Sequence, residues 1–513
     1  MTNQTVIPLS QNSGNVPNPH FVLVPLMAQG HMIPMIDMAR LIASRGVHVT
    51  FVTTPINAAR NTTSINSMHG SGLPIHFLTL PFPGTEAGLP EGCENLDTLP
   101  SRALIKNFLD ACRLLKDPLI NHLKAQSHLP PPSLIITDLS HPWTREVSKE
   151  LSIPRLFFNG FGCFALLCSF NIRQHKIHET ITDENELFVI PGMPDRIELT
   201  RAAGPWVFLP KNWRSTRREV REAEIDADGV VVNSFDELES PYCEWYQKTT
   251  GKKAWMIGPL SLSNKNVADV AARGNKAAID ESLCMSWLDS MKPSSVLYVS
   301  FGSMARTKVD QLVELGLALE ASEKPFVWVI KAGEKMAEVE KWLSEGFEER
   351  TRSRGLIIRG WAPQVMILSH QAVGGFMTHC GWNSTLEGVT AGVPMITWPH
   401  FAEQFINEKL IVQVLKIGVS VGVKHPTKWG DDNGDAVLLE KERVEKAVAT
   451  LMAEGEEAEE AEEMRKRAKV LGEMAGRAME EGGSSYQNLS NLIQCFNGAD
   501  HGQVGDKKNA LFA

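Results

Sequence analysis

The residues around position 380 combine the groups that a protein uses to hold phosphate. An apolar run that predicts a strand ends at His379, and Gly381, Asn383 and Ser384 then form a polar turn before a predicted helix. A glycine-containing turn into a helix N-terminus presents unpaired N–H groups and the positive end of the helix dipole, which together bind phosphate. The imidazole of His379 can donate a further hydrogen bond to a phosphate oxygen. The sequence therefore predicts a phosphate site here.

Two further side chains of this segment suit a nucleoside. Glu387 lies four residues after Asn383 on the same predicted helix face, so its carboxylate can accept two hydrogen bonds from a ribose diol. Trp361 follows a predicted strand and precedes Pro363, so its ring can form a flat platform for a base. Each feature alone is more often structural, since a strand-end histidine usually satisfies a local hydrogen bond. Their combination within the 44 residues from Trp361 to Gln404 favours a nucleotide site.

Three other motifs offer alternative chemistry. Residues 160–165, GFGCFA, match a dinucleotide fingerprint after a predicted strand and would suit a nicotinamide-dependent oxidoreductase, although they lie in the middle of a domain. Asp226 and Asp228 form a D-x-D string of the metal-binding type, but we expect them on the side away from the predicted cleft. The loop from Asp431 to Glu442 echoes a calcium-binding loop with Ala436 where glycine is required. We therefore expect no metal site.

Two regions of the chain could position these groups, because in both of them strands alternate with helices. Short β-branched or aliphatic runs followed by helix-like stretches predict parallel α/β architecture. The strands are predicted at 20–25, 47–55, 133–138, 154–159 and 229–235, and then at 296–303, 325–331, 355–361, 372–381 and around Met395. The helix after the first strand is predicted to end at Gly46. In open α/β sheets, ligands bind at the carboxyl ends of the strands, so we expect a cleft there.

Composition limits the possible functions. The 513 residues exceed one core, and 43% hydrophobic with 22% charged residues is typical of a soluble globular protein. The net charge of −9 provides no positive field for nucleic acid or anionic lipid. The eight cysteines show no C-x-x-C or zinc-site spacing, which favours a reducing compartment. The polar start of the chain and the absence of a long apolar run predict neither a signal peptide nor a membrane span, so we expect a cytoplasmic protein.

The segment from Trp361 to Gln404 closely resembles the donor motif of the plant family-1 UDP-glycosyltransferases. That motif begins with W-A-P-Q, contains H-C-G-W-N-S-x-x-E and closes on E-Q or D-Q. The resemblance extends from about His20 to Phe496 and includes PHFVLVPLMAQGHMIPMIDMARL and GVVVNSFDELE. It implies an α/β fold of the GT-B type, in which two Rossmann-like, doubly wound domains face each other across a cleft. The C-terminal domain would hold most of the UDP-sugar.

The resemblance also implies roles for individual donor-site residues. Trp361 would stack on uracil, Ala362 would bind the edge of the base through its backbone, Gln364 and Glu387 would hold the ribose, His379, Asn383, Ser384 and Ser303 would hold the diphosphate, and the backbone of Trp382 with Glu403 and Gln404 would meet the sugar hydroxyls. A terminal glutamine in this motif is associated with glucose, and a histidine with galactose. UDP-glucose is therefore the expected donor substrate, and no cofactor is expected beside it.

Inverting glycosyl transfer needs a base that removes the proton of the acceptor hydroxyl. His31 follows the first predicted strand, and its ordinary pKa of about 6.5 allows it to act as a neutral base. Asp138 ends the strand at 133–138, where its carboxylate could orient the ring and stabilise the imidazolium. From the sequence alone, either residue could instead be a helix cap. The resemblance implies that they form the catalytic dyad.

The remaining expectations concern domains, acceptor and partners. The expected organisation is a flexible N-terminus at 1–19, an acceptor-binding domain at 20–257, an interdomain linker at 258–281, a UDP-sugar-binding domain at 282–476, a C-terminal helix at 477–498 that packs back on the N-terminal domain, and a flexible tail at 499–513. His141 and Phe161 are candidates for the acceptor pocket. The expected acceptor is a flavonoid, terpenoid or steroid hydroxyl, and the expected state is a monomer. A non-catalytic UDP-sugar-binding protein remains an alternative reading.

Overall fold

The computed structural model describes residues 18–205, 213–264, 270, 273–304, 307–331, 336–427, 438–455 and 458–497. The predicted flexible tail at 499–513, nearly all of the predicted N-terminus and most of the calcium-like loop lie outside these residues. The strands are β1 His20–Val24, β2 His48–Thr53, β3 Ile75–Thr79, β4 Leu134–Asp138, β5 Arg155–Asn159, β6 Leu187–Val189, β7 Glu198–Thr200, β8 Gly229–Val232, β9 Lys253–Met256, β10 Val296–Ser300, β11 Phe326–Ile330, β12 Gly355–Arg359, β13 Val373–Thr378, β14 Met395–Thr397 and β15 Gly418–Ser420.

Two parallel sheets organise the chain. The first has the order β3-β2-β1-β4-β5-β8-β9 and the second has the order β12-β11-β10-β13-β14-β15, while β6 and β7 form a small antiparallel pair. The central strands are buried along their whole length, as expected when helices cover both faces of a parallel sheet. In each sheet the strand order reverses beside the first strand, between β1 and β4 and between β10 and β13. Ligands of doubly wound folds bind at such switch points.

Helices connect and cover the strands. They are α1 Gln29–Ala43, α2 Pro55–Arg60, α3 Thr62–Gly70, α4 Ile105–Arg113, α5 Lys116–Ala125, α6 Thr144–Leu151, α7 Cys163–Gln174, α8 Ile177–Thr180, α9 Arg214–Asp226, α10 Asp236–Thr250, α11 Glu281–Asp289, α12 Val309–Ala321, α13 Met336–Trp342, α14 Glu348–Thr351, α15 Gln364–Leu368, α16 Trp382–Thr390, α17 Gln404–Lys409, α18 Lys441–Leu451, α19 Glu459–Met479 and α20 Ser484–Cys495. Within the described ranges, none of the helices is long and apolar enough to cross a membrane.

The final helix returns to the first sheet. Leu489 and Leu492 of α20 are buried in the same hydrophobic cluster as Trp255 of β9. Asn488 donates hydrogen bonds to the Met256 carbonyl and to Asp236, both at 3.1 Å. The last helix of the described residues therefore packs against the N-terminal sheet, although it follows the C-terminal sheet in the chain.

Element bounds differ from the sequence-based prediction at a few places. The strand expected to reach Phe235 ends at Val232, because the next residues turn into α10. The helix α1 ends at Ala43 with Ser44 as its C-cap, so Gly46, with φ +80°, lies two residues beyond the cap. Five strands were not predicted, and each of them contains exposed or partly exposed residues: β3, β6, β7, β9 and β15.

Candidate active site

A histidine–aspartate pair lies at the switch point of the first sheet. His31 is in the first turn of α1, directly after β1, and Asp138 is the last residue of β4, the neighbouring strand. The two side chains meet because parallel strands bring their carboxyl ends to one edge of the sheet. His31 Nδ1 and Asp138 Oδ2 are 2.6 Å apart, and the side chains are 28% and 2% exposed. The imidazole therefore presents an accessible edge while its partner is buried.

The surroundings of Asp138 keep it ionised. Burial by itself raises the pKa of Asp138, but the charge and hydrogen bond of His31, the charge of His141 and the N–H of Ser140 together lower it below its usual value. That N–H donates to Asp138 Oδ1 at 2.8 Å, so both carboxylate oxygens are used. Burial likewise lowers the pKa of His31, and the charge and hydrogen bond of Asp138, with the charge of Glu403, outweigh it and raise that pKa. The arrangement stabilises an imidazolium at His31.

Two neighbours expected to line the acceptor pocket lie close to this pair. Phe161 is partly buried and packs at the edge of the core. His141 is only 1% exposed, and its Nε2 lies 2.9 Å from the Pro25 carbonyl oxygen, so it is embedded beside Asp138 instead of facing open space. Gly160 approaches the ring of His31 directly, because a Cβ there would lie 3.5 Å from the ring carbon Cε1.

Across the cleft, His379 follows β13 at the switch point of the second sheet. Its ring lies between Gly302 and Gly381, and a Cβ at either glycine would overlap the imidazole. Burial, with the charge of His400, lowers the pKa of His379 to about 3, so the ring is neutral at physiological pH. The Nδ1 atom of His379 is buried and has no hydrogen-bond partner. A neutral imidazole with an unused nitrogen suits hydrogen bonding to a ligand.

The helix α16 begins directly after this histidine. Gly381 is its N-cap, with φ −61° and ψ 141°, so the first N–H groups of α16 point out of its N-terminus as the sequence predicts. The backbone N–H groups of Glu403 and Trp382 act to lower the pKa of the Glu403 carboxylate. Burial raises the pKa of Glu403 to about 7, against the effect of the backbone N–H groups and of His31. Glu403 thus links the donor side of the cleft electrostatically to the histidine of the other domain.

A hydrogen-bonded network joins the other donor-side residues. Gln364 Nε2 donates to Glu387 Oε2 at 2.7 Å and to Ser384 Oγ at 3.0 Å. The Tyr298 hydroxyl donates to Gln364 Oε1 at 3.3 Å. Since Tyr298 lies in β10 and Glu387 in α16, the network fixes α15 between a strand and a helix. It brings Gln364, Ser384 and Glu387 together.

Three other residues predicted to bind the donor, Gln404, Ala362 and Ser303, are held by hydrogen bonds that involve the backbone. The Gln404 Oε1 atom accepts the N–H groups of His400 and Phe401 at 2.8 and 3.0 Å, which orients the amide NH₂ group away from that loop. The carbonyl of Ala362 accepts the N–H of Gln364 at 2.8 Å, which holds the Ala362 backbone at the start of α15. Ser303 lies in the turn after β10, and Lys331 donates to its carbonyl. All three residues lie in loops or at helix starts near the carboxyl ends of strands.

Asn383 makes a contact between the domains that its predicted phosphate role does not include. Its Nδ2 donates to the carbonyl oxygen of Gly30 at 2.6 Å. Gly30 lies four residues before Pro34 inside α1, and proline has no N–H to donate to that carbonyl. The proline therefore frees an acceptor that the other domain uses. Trp382 makes a second such contact, because its Nε1–H donates to the Asn233 carbonyl at 2.8 Å.

The linker also enters the site, which the sequence did not indicate. Arg273 Nε donates to Asp37 Oδ2 at 2.8 Å, and its guanidinium also pairs with Glu387. Gly274 lies against the ring of Trp361, which is the predicted base platform. No local pattern could have revealed Arg273, because it lies in a polar, turn-rich stretch without periodicity.

The glycine string at 160–165 does not form a site for a bound phosphate. The helix α7 follows it, but the carboxylate of Glu239 occupies the helix N-terminus and accepts the N–H groups of Cys163 at 3.1 Å and Phe164 at 2.8 Å. Glu239 is fully buried, and a Cβ at Gly162 would lie 2.6 Å from its Oε1 atom. A pyrophosphate cannot bind at the N-terminus of α7, because the buried Glu239 carboxylate already occupies that position. This geometry argues against the oxidoreductase alternative.

The D-x-D string is structural too. Asp226 ends α9 and pairs with Arg145, while Asp228 Oδ2 accepts the N–H of Arg155 at 3.0 Å. In the part of the chain that the structure describes, no group of three or more histidine, cysteine or carboxylate side chains could hold a metal ion.

Two facing doubly wound domains, with a histidine–aspartate pair on one and a nucleotide-type site on the other, define a glycosyltransferase of the GT-B fold. The sequence profile described as "UDP-glucoronosyl and UDP-glucosyl transferase" matches residues 253–450, and the profile "Glycosyltransferase, N-terminal domain" matches residues 20–262. UDP-glycosyltransferase 73C6 of Arabidopsis thaliana is 51% identical over 484 residues, which cover 94% of this chain and 97% of that protein. The chain belongs to the plant family-1 UDP-glycosyltransferases.

Solved structures agree with this assignment. Glycyrrhiza uralensis UGT73P12, complexed with glycyrrhetinic acid 3-O-monoglucuronide, superposes with a TM-score of 0.85 at 39% identity, covering 93% of this chain and 96% of that one. Phytolacca americana UGT2, complexed with UDP-2fluoro-glucose and pterostilbene, gives a TM-score of 0.73 at 27% identity, covering 93% and 99%. The GT-B architecture expected from the motif is therefore confirmed.

Proposed function

We propose that this enzyme is an inverting, UDP-glucose-dependent O-glucosyltransferase that acts on a hydroxyl group of a small lipophilic acceptor. The observation that carries the proposal is the 2.6 Å contact between His31 Nδ1 and Asp138 Oδ2 at the switch point of the N-terminal sheet. A part-exposed imidazole with a buried carboxylate behind it is an arrangement well suited to general-base catalysis.

In the proposed reaction, His31 Nε2 accepts the proton of the acceptor hydroxyl. The acceptor oxygen attacks the anomeric carbon, and the bond from that carbon to the β-phosphate oxygen breaks with its electron pair leaving on UDP. Asp138 holds the Nδ1–H and stabilises the imidazolium as it forms, in keeping with the direction of both pKa shifts. The N-terminus of α16 and the neutral His379 would stabilise the charge of the departing diphosphate.

We assign the donor to the second sheet. Trp361 would stack on uracil beside the Ala362 backbone, Gln364 and Glu387 would hold the ribose, Ser303, His379, Asn383 and Ser384 would hold the diphosphate, and Trp382, Glu403 and Gln404 would meet the sugar. The network that joins Gln364 to Ser384 and Glu387 supports this grouping. It requires Asn383 to exchange its contact with Gly30 for a phosphate oxygen when the donor binds.

Glucose is the proposed sugar because Gln404 closes the donor motif. Its oxygen is held by the His400 and Phe401 N–H groups, so its amide NH₂ is the group presented to a sugar hydroxyl. The Phytolacca americana relative was solved with UDP-2fluoro-glucose, which also favours a glucosyl donor.

The proposed acceptor is a flavonoid, terpenoid or steroid. Support comes from the apolar core against which Phe161 packs, one residue after the Gly160 that approaches the His31 ring, and from the pterostilbene and glycyrrhetinic acid glucuronide bound to the two solved relatives. We further propose a cytoplasmic monomer that needs no metal or cofactor besides its donor. All eight cysteines are free, which fits a reducing compartment.

The test replaces the base and follows two activities. The variant His31→Ala should lose glucosyl transfer by about 10²–10⁴-fold, the usual contribution of a general base, while UDP binding persists. The matched control is His175→Ala, which removes an exposed histidine of the same domain. Transfer is measured by mass detection of products from a panel of flavonoid, terpenoid and steroid acceptors. Unchanged turnover in His31→Ala would refute the mechanism, and UDP binding without transfer in the wild-type enzyme would favour a non-catalytic binding protein.

A further inference from the structure

A short piece of the linker between the domains lies inside the cleft. We call residues Arg273, Gly274 and Asn275 the latch. The Arg273 guanidinium bridges two carboxylates, Asp37 of α1 in the N-terminal domain and Glu387 of α16 in the C-terminal domain. The Arg273 side chain is only 15% exposed, and both carboxylates are more deeply buried. These ion pairs are therefore partly desolvated and join the two domains.

The glycine of the latch lies against the Cζ2 and Cε2 atoms of the Trp361 indole. Gly274 has φ +90°, a conformation that side chains rarely adopt. A Cβ at this position would overlap the ring of Trp361 and would lie 3.0 Å from Ile33 Cδ1. The backbone of Gly274 thus lies directly against the indole, and no larger residue fits between Trp361 and Ile33.

Hydrogen bonds hold the latch on both sides. Gln29 Nε2 donates to Asn275 Oδ1 at 2.5 Å, which ties the segment to the start of α1. The N–H of Ala278 donates to the Trp361 carbonyl at 2.8 Å, which ties the following residues to the C-terminal domain. Side chains and backbone together therefore place the segment at one defined position in the cleft.

The latch uses the same two groups that the proposed donor site needs. The uracil would stack on Trp361, where Gly274 now lies, and the ribose would bind Glu387, whose Oε1 now pairs with Arg273. A uracil that stacks on this part of the indole and a ribose that uses Glu387 Oε1 would therefore both compete with the latch. We propose that the latch is an autoinhibitory segment that closes the nucleotide site of the free enzyme and is displaced when the UDP-sugar binds. This inference rests on the proposed roles of Trp361 and Glu387.

If UDP must displace the latch, the observed affinity for UDP depends on the fraction of enzyme molecules in which the latch is already open. The apparent dissociation constant equals the intrinsic constant divided by that fraction, so a latch that leaves about one molecule in ten open weakens UDP binding about tenfold. Variants that weaken the latch should regain part of that factor.

Calorimetric titration of the full-length protein with UDP tests this expectation. Arg273→Ala removes both ion pairs, and Gly274→Ala introduces the Cβ that collides with Trp361. Each variant should bind UDP about threefold to tenfold more tightly than the wild type. The matched control Lys276→Ala removes an exposed cation three residues from Arg273 and should leave the affinity unchanged. Unchanged affinity in both latch variants would overturn the proposal, and weaker binding in Arg273→Ala would show that Arg273 is itself a nucleotide ligand.

A second measurement reports on the linker itself. Trypsin can cut after Arg273 and Lys276, and the latch protects the first of these bonds by burial. Saturating UDP should accelerate cleavage there in the wild-type enzyme, as followed by mass spectrometry of the fragments, and slower or unchanged cleavage would contradict the latch. Two other results would contradict the proposed donor site rather than the latch. The folded wild-type enzyme would bind no UDP, or the double variant with Trp361→Ala and Arg273→Ala would bind UDP as tightly as the single variant Arg273→Ala.

Discussion

Replacing Asp138 by asparagine should disable the base while leaving the fold nearly unchanged. Asp138 accepts two hydrogen bonds, from the Ser140 N–H at 2.8 Å and from His31 Nδ1 at 2.6 Å. An asparagine has one oxygen and one NH₂ group, so it can satisfy only one of these donors. The backbone N–H of Ser140 cannot change, whereas an imidazole can change tautomer. The amide oxygen will therefore face Ser140 and its NH₂ group will face His31.

That orientation places the proton of His31 on the wrong nitrogen. With Nδ1 accepting from the amide, the proton moves to Nε2, which then donates towards the acceptor hydroxyl instead of removing its proton. A comparable tautomer change in hydrolytic triads costs about 10⁴-fold, and general-base catalysis as a whole contributes about 10²–10⁴-fold. We expect kcat to fall within that range, which corresponds to about 3–5 kcal/mol at 1.36 kcal/mol for each factor of ten.

The pH dependence of activity is a second test of the Asp138→Asn substitution. A base must be deprotonated to act, and Asp138 raises the pKa of His31 above its ordinary value, so wild-type activity should rise with pH through a midpoint above about 6.5. Without the carboxylate, burial lowers that pKa, and the acid limb should move to lower pH. The assay is initial-rate product formation with one acceptor between pH 5 and 9, with Asp226→Asn as a surface control. Activity within threefold of the wild type, or an unmoved acid limb, would refute the reasoning.

Four further outcomes are expected. Trp382→Phe removes the donor to the Asn233 carbonyl and should lower the free energy of unfolding by about 1–3 kcal/mol in urea titrations, and an unchanged midpoint would contradict this contact. Gly162→Ala forces a Cβ into Glu239 and the Trp382 ring, so it should cost about 1–3 kcal/mol, and wild-type thermal stability would count against the close approach. Gln404→His should shift the ratio of glucosyl to galactosyl products in competition assays, and an unchanged ratio would weaken the glucose assignment. Chelation by EDTA should leave the transfer rate unaltered, because the proposed leaving-group stabilisation comes from a helix N-terminus and His379; a large loss of rate would indicate a metal.

Much of the scaffold could be read from short stretches of chain. The apolar runs from His20 and from Val296 predicted buried strands, because residues covered on both faces of a parallel sheet must be apolar. The strands β3 and β15 were missed, since only two of the five residues of β3 and one of the three residues of β15 are buried. An apolar pattern in the sequence reveals a strand only through its buried residues. A short or half-buried strand has too few of them to be recognised.

The candidate site was predictable to a different extent on its two sides. The donor residues lie within one segment, so their types and spacing were visible together, and Gln364, Ser384 and Glu387 do form a network. His31 and Asp138 are 107 residues apart. Their positions after predicted strands suggested a base and its orienting carboxylate, the resemblance favoured this role over helix capping, and the structure places the two side chains 2.6 Å from each other. The glycine string at 160–165 matched a dinucleotide fingerprint, but the local pattern could not show that Glu239 occupies the N-terminus of α7.

Local sequence thus determined the class of fold, the nucleotide-type turn at 379–384 and the identity of the residues that could act as base and orienter. Tertiary structure alone decided which distant groups meet: Asn383 with the carbonyl that Pro34 leaves free, Glu239 with α7, and the Arg273 latch with Glu387. The physical reason is that turns and strands depend on neighbours along the chain, whereas a buried polar group takes whichever partner the packing of remote elements brings within about 3 Å.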